Sequence, residues 1–203
     1  MTAPQHKPLA EVRIERVSLR QVDLPPKVLR TDAIQSFVTQ ETLMLTLHCS
    51  DGIDATGYAY TIGTGGSSVL ALLKDHLAPR LIGRDPVAIE AIWKDLFFHT
   101  HATAVGAITS LALACVDTAL WDIKAKIAGQ PLYQLLGGRS RTAIMSYAHA
   151  TGRDTAETVD EVLRHKEMGY LAIRAQSGIP GLNKVYGVSG NGHMYEPADG
   201  PLP

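Results

Sequence analysis

The sequence predicts an α+β domain followed by the opening strand–helix–strand of a parallel β/α array. Three observations carry that prediction. Between Val12 and Ile62, three runs of β-prone residues are separated by turn signals. Between Gly63 and Ala128 the apolar spacing becomes helical. After Gly137-Gly138 an apolar run, an amphipathic run and a second apolar run follow, the order of a βαβ unit.

The elements are read in chain order. Val12 to Val22 alternates apolar and polar residues and forms a first strand, ended by Asp23-Leu-Pro-Pro-Lys27. Val28 to Ser36 reads as an irregular loop. Thr42 to Cys49 is β-rich, Ser50-Asp51-Gly52 is a turn signal, and Gly57 to Ile62 returns as the partner strand of an antiparallel meander. Gly63-Thr-Gly-Gly-Ser-Ser68 opens a helix that runs to about His76. Asp85-Pro86 fits an N-cap with proline at the first helical position, ahead of Ile89, Ile92, Trp93, Leu96 and Phe97 at helical spacing. Ala104 to Ala128 is an alanine-rich helix stopped by Gly129 and Pro131, and a short turn, Leu132 to Leu136, closes at Gly137-Gly138. Ala143 to Ala148 is then a strand, Asp154 to Met168 a helix ended by Gly169, and Leu171 to Ala175 a second strand. Ser177 to Pro203 holds six Gly and four Pro and reads as a long loop.

The totals exclude several functions. With 19 Lys+Arg against 20 Asp+Glu, the formal charge of −1 offers no basic field for nucleic acid. Apolar residues make up 45%, enough for a substantial core. Met1 to Leu9 lacks the apolar stretch of a signal peptide, and the longest apolar run, Ala107 to Leu120, is too short to span a bilayer. A soluble cytoplasmic protein is expected. Cys49 and Cys115 lie in different apolar elements and read as reduced core residues.

Chemistry points to the second half. Arg174 is expected where the second strand of the βαβ unit ends, Tyr186 follows in the loop, and His149 follows the preceding strand. An isolated tyrosine titrates near pH 10, but a permanent guanidinium nearby favours the phenolate. Arg174, Tyr186 and His149 together form an acid–base set. Asp117 and Asp122 are expected to pair with Arg or Lys, and His99 and His101 to mark a solvated helix end. Gly63 to Gly66 is no phosphate loop, since no Gly-Lys-Ser/Thr follows. No cluster of Asp, Glu and His has magnesium-like spacing.

The order of elements resembles the enolase superfamily, in its mandelate racemase and muconate lactonizing enzyme branch. The segment Ala114 to Gly138 is similar to the helix that joins that family's capping domain to its barrel, and Leu81-Ile-Gly-Arg-Asp-Pro86 also looks familial. The resemblance implies an α+β capping domain with its linking helix over 1–138, followed over 139–203 by the first βαβ portion of a (β/α) barrel. Tyr147-Ala-His149, Ala172 to Gly181 and Tyr186 are similar to D-mannonate dehydratases. Racemases and lactonizing enzymes carry Lys-x-Lys where this chain has Arg174-Ala175-Gln176. In the cap, Glu41 stands where an Asn is expected, and Thr61 to Ser68 is more racemase-like.

That resemblance implies proton abstraction next to a carboxylate and loss of water from a sugar acid, giving a 2-keto-3-deoxy acid. It assigns Tyr186 as base with Arg174 beside it, and His149 and Gln176 as substrate-binding residues. It implies Mg²⁺ as cofactor, held by carboxylates from later barrel strands, so the chain is expected to lack those ligands and to be inactive alone. A homo-oligomer of the full-length family is expected. The alternatives are a mandelate-racemase-like enzyme of unknown substrate and a non-catalytic oligomerising module.

Overall fold

A computed structural model describes residues 12–25, 27, 30–31, 36–37, 39–103, 106–152 and 154–177. In chain order the elements are β1 (Ile14–Leu24), β2 (Arg30–Thr31), β3 (Ser36–Phe37), β4 (Gln40–Cys49), β5 (Asp54–Thr61), α1 (Gly66–Leu72), α2 (Ile89–His99), α3 (Ala107–Ala128), α4 (Leu132–Leu135), β6 (Ala148–Gly152), α5 (Thr155–Glu167) and β7 (Ile173–Ser177). The chain divides into two units. Residues 1–26 and 38–139 form one, and 27–37 and 140–203 the other.

The first unit is built on the antiparallel sheet β1-β4-β5. Strand alternation sends Leu43, Leu45, Leu47 and Cys49 to one face, where all four are buried. Full burial of each leucine contributes about 1.5–3 kcal/mol. Opposite them on β5 stand Ala59, Gly57 and Ala55. These are small for a reason: a Cβ on Gly57 would lie 1.9 Å from the Cys115 carbonyl oxygen and 2.7 Å from the Ala119 nitrogen. The backbone of α3 therefore rests directly on β5, and only a strand of Gly and Ala admits it. The helix answers with its own small residues, Ala112, Cys115 and Ala119, all buried. Ile89, Ile92 and Leu96 of α2 close the core from the side.

Most boundaries follow local chemistry. Gly52 takes φ 83° in the β4–β5 turn, and the Asp51 carboxylate accepts from the Ile53 N–H at 3.0 Å. The helix expected from Gly63 is α1 continued by a π-helical turn, Leu73–Leu77, and a 3₁₀ turn, Ala78–Arg80. Helix α2 starts at Ile89, not at Pro86, because Asp85 Oδ1 accepts from the Val87 N–H at 3.0 Å and closes its own turn first. Gly129, at φ 63°, ends α3 as its position before Pro131 predicts, with the Gln130 N–H donating to the Ala125 carbonyl at 3.1 Å. Among the described residues Asp122 pairs with Lys126 at 2.8 Å and also accepts from the Thr56 N–H at 3.0 Å, tying α3 to β5.

A polar row crosses the outer face of the sheet. Arg16 donates to Ser18, Ser18 Oγ lies 2.9 Å from His48 Nε2, and His48 Nδ1 lies 2.8 Å from Asp54 Oδ1. Its order mimics a hydrolytic triad. Ser18 nevertheless lies mid-strand, its oxygen already bonded by Arg16 and His48, so the row serves as a clip across three strands.

In the second unit β2 and β3 make a two-residue antiparallel pair that overlaps the loop expected over Val28 to Ser36 and extends one residue past it, and 32–35 lies outside the described residues. Strands β6 and β7 are parallel neighbours joined through α5. The α+β unit and the βαβ unit are those the sequence predicts. No helix among the described residues is long and apolar enough to cross a membrane.

Candidate active site

The second unit owes its geometry to small residues. In β6, Ala148, Ala150 and Gly152 are buried, while His149 and Thr151 between them are exposed. A Cβ on Gly152 would lie 2.4 Å from the Thr158 nitrogen and 2.8 Å from the Glu157 carbonyl carbon. The first turn of α5 thus lies against the end of β6. That turn is fixed by Asp154, whose Oδ1 accepts from the Glu157 N–H at 2.8 Å, and by Thr158 Oγ1, which donates to the Asp154 carbonyl at 2.7 Å. Gly169, at φ 91°, ends the helix, with the Tyr170 N–H donating to the His165 carbonyl at 3.2 Å.

Register then decides which side chains meet. Ala148, Ala150 and Gly152 stand opposite Ile173, Ala175 and Ser177. His149 stands opposite Arg174, and Thr151 opposite Gln176. In a parallel pair, opposed residues share a face and neighbouring strands lie about 4.8 Å apart. Since Gly152 faces α5, the other face carries His149, Thr151, Arg174 and Gln176. His149 and Arg174 are both exposed, and the His149 ring lies 5.1 Å from that of Tyr147.

Three of the expected site residues, His149, Arg174 and Gln176, therefore share one sheet face. Tyr186, the fourth, lies outside the described residues, as do 178–203. Arg174 is not at the strand's end as expected. It is the second residue of β7, which begins at Ile173 and runs to Ser177. The first strand also shifts, from the expected Ala143–Ala148 to Ala148–Gly152. Ile144, Met145 and Tyr147, which suggest a buried strand, are exposed, with Ile144 at 81%. Thr151, which the sequence reading does not include, lies on the same face. Its signal was present as the second residue after His149, the spacing that keeps a strand residue on the same face.

The cap residues resolve differently. Glu41 Oε2 accepts from Thr61 Oγ1 at 2.5 Å and from the Gly66 N–H at 3.0 Å, which binds both ends of the Ile62–Gly65 loop to β4. Gly63 and Gly65 take φ 86° and 97° in that loop. His99 and His101 lie at the exposed end of α2, where His101 Nδ1 contacts the Phe98 carbonyl at 2.7 Å. Burial, then the Glu90 charge, raises the Asp117 carboxyl above its usual range. Among the described residues Asp117 makes no ion pair, contrary to the pairing expected of it.

Magnesium takes hard oxygen ligands, carboxylates foremost. The shared face offers an imidazole, a hydroxyl, a guanidinium and an amide, so it does not fit that ion. Among the described residues no group of three or more His, Cys, Asp or Glu is placed to hold a metal.

Comparison with known proteins fixes the family. Residues 15–137 match the model of the mandelate racemase / muconate lactonizing enzyme N-terminal domain. The chain belongs to that family. It is 51% identical over 177 residues to a D-mannonate dehydratase of Rhizorhabdus wittichii, covering 87% of this chain and 42% of that one. It is 49% identical over 177 residues to a D-galactonate dehydratase family member, RspA, of Cellvibrio japonicus, again covering 87% and 42%. The chain thus spans about two fifths of the length of these curated relatives. Among solved structures, an L-talarate/galactarate dehydratase of Salmonella typhimurium, liganded with Mg and L-lyxarohydroxamate, superposes with a TM-score of 0.71. That match has 27% identity over 89% of this chain and 48% of that one. The mandelate racemase and muconate lactonizing enzyme resemblance read from the sequence is borne out. So is the architecture of a capping domain followed by the first parallel strands of a barrel.

Proposed function

We propose that the chain supplies the cap and first barrel strands of an acid-sugar dehydratase of the mannonate type, with the capping domain over 1–138 and the barrel portion over 139–203. The observation that carries this is the pairing of His149 with Arg174 across the β6–β7 ladder, on the face turned away from α5. Both are exposed and so open to a ligand. The relatives named as sugar-acid dehydratases support the substrate class.

In this reading Tyr186 removes the proton from the carbon next to the substrate carboxylate. Arg174 acts through charge: always cationic, it favours the phenolate over the phenol. His149 binds the substrate on the adjacent strand, and Gln176 lies one rung further along. The hydroxyl on the neighbouring carbon leaves as water, taking its proton from a general acid of the complementary barrel segment, and the resulting enol loses its hydroxyl proton and gains one on that carbon to become the 2-keto-3-deoxy acid. Magnesium would supply charge stabilisation at the carboxylate, but the shared face does not provide its ligands. A cytoplasmic, homo-oligomeric enzyme acting on a small acid is the setting this reading carries.

The test is reconstitution. The chain is mixed with magnesium and the complementary barrel segment of the Rhizorhabdus relative, then given a panel of sugar acids. The expected outcome is a 2-keto-3-deoxy product from D-mannonate, detected as its semicarbazone, and loss of that activity in Arg174→Met. Product from no sugar acid refutes the dehydratase reading. The cap supports a second reading, since Glu41 stands where the dehydratase resemblance expects an Asn and the segment Thr61 to Ser68 is more racemase-like. Stereochemical inversion of an acid without loss of water would establish that racemase-like alternative.

A further inference from the structure

We infer that Thr151 is a further substrate-binding residue, contributing a hydroxyl to a hydroxyl of the sugar-acid chain. This rests on the dehydratase reading and extends it to a residue that reading does not contain. Two structural facts place Thr151. Gly152 is held against the first turn of α5, so its neighbour in the strand must face the other way. The ladder sets Thr151 opposite Gln176 and sets His149 opposite Arg174. The face therefore carries two rungs, separated by two residues of strand.

The rungs differ in chemistry. The first holds an imidazole and a guanidinium, groups suited to a carboxylate and a proton in transit. The second holds a hydroxyl and an amide, neutral groups that both donate and accept, which is what a row of substrate hydroxyls requires. Two residues of parallel strand rise roughly 6.6 Å, comparable to the length of an extended six-carbon sugar acid. A substrate whose carboxylate end meets the first rung thus presents its distal hydroxyls to the second. The second rung is also nearer the carboxyl ends of the strands, the side on which β/α barrels bind ligands. Thr151 is exposed, and among the described residues its hydroxyl makes no hydrogen bond, so nothing within this face competes for it.

The experiment uses the intact chain in the reconstituted complex. Thr151→Val keeps the β-branched shape and removes the hydroxyl, and Thr151→Ser restores the hydroxyl with less bulk. Each is assayed with D-mannonate and with analogues lacking one distal hydroxyl. The expected result is a KM for D-mannonate raised roughly threefold to tenfold in Thr151→Val, with kcat within about twofold and rescue in Thr151→Ser. For one of the deoxy analogues the Val variant and wild type should coincide. An active complex whose Val variant keeps the wild-type KM overturns the Thr151 assignment alone. An equal loss by the Val variant on every analogue overturns it too. A wild-type complex that dehydrates no sugar acid overturns the functional reading and this inference with it.

Discussion

Replacing Gly57 by alanine tests whether the α3 backbone truly rests on β5. The added Cβ would lie 1.9 Å from the Cys115 carbonyl oxygen, against an ordinary contact of 3.4 Å or more, and 2.7 Å from the Ala119 nitrogen. Both neighbours are helix backbone, so no side chain can rotate away. Relief requires α3 to move off the sheet by about 1.5 Å. A gap of even 0.5–1 Å forfeits a quarter to a half of the dispersion energy along a contact, and α3 buries Ala112, Cys115, Val116, Ala119 and Leu120. Overpacking costs about 1–3 kcal/mol in general. With rigid backbone as the obstacle, the upper end applies, reduced by the roughly 0.4–1 kcal/mol that alanine gains over glycine through the unfolded chain. The expected net loss is about 2–2.6 kcal/mol, and a melting temperature lower by about 5–10 °C. Trp93 and Trp121 both belong to the first unit, so tryptophan fluorescence follows the unit under test. Gly52→Ala is the control: its Cβ meets nothing within 4 Å and bears only the φ 83° penalty, about 1 kcal/mol. A Gly57→Ala protein that melts within about 2 °C of wild type, or no lower than Gly52→Ala, refutes the close-contact account.

Gly152→Ala should press α5 off β6 and weaken the Asp154 cap. Amide exchange in α5 and β6 should accelerate roughly a hundredfold, equivalent to about 3 kcal/mol, with the β1-β4-β5 sheet unchanged; equal acceleration in both units would contradict a local effect. Asp117 has a raised carboxyl pKa, caused first by burial and then by Glu90. A raised carboxyl pKa destabilises the folded state above that pKa, and the penalty fades as pH falls through the folded value toward the unfolded one. Asp117→Asn should therefore raise the melting temperature at pH 7, with the gain vanishing below about pH 4 in a thermal series. Burial pushes the Cys49 and Cys115 thiols up to about 12, so a thiol reagent at pH 8 should modify neither in the native chain and both in denaturant.

The elements legible in the sequence are those whose cause is local. Asp154 before Glu157 marks the start of α5, Gly169 its end, and Gly129 with Pro131 the end of α3. Misplaced boundaries have tertiary causes. Ile144 and Met145 are apolar and so draw the expected strand to Ala143–Ala148, whereas the ladder uses Ala148, Ala150 and Gly152. Small residues carry almost no hydrophobic signal, and their role shows only once α5 lies against them. The Pro86 start of α2 fails for a different reason: Asp85 has the chemistry of a cap, but its carboxylate bonds the Val87 amide in a tighter turn. The choice of His149, Arg174 and Gln176 as candidates rests on motif resemblance. That residues of the two strands share a face depends on a parallel register that no single strand reveals; Thr151 shares its face with His149 by strand spacing alone, and the register sets it opposite Gln176.

The second unit also contains an argument about what kind of sheet it opens. In a doubly wound parallel sheet helices cover both faces, and strands read as continuous apolar runs. Here β6 reads Ala-His-Ala-Thr-Gly and β7 Ile-Arg-Ala-Gln-Ser, alternating between the face toward α5 and a polar one. A helix packed on that polar face would bury a guanidinium and an imidazole without partners among the described residues of the unit, at several kcal/mol for an unpaired charge. A lumen suits such a face, because a barrel's inner wall can direct polar side chains at a ligand near its carboxyl end. Helix α5 carries the matching sign on its other side: Val159 and Leu163, one turn apart, are about half exposed, as at the contact between neighbouring helices in an outer ring. The alternation in ten strand residues thus selects a barrel over an open sheet, independently of any relative.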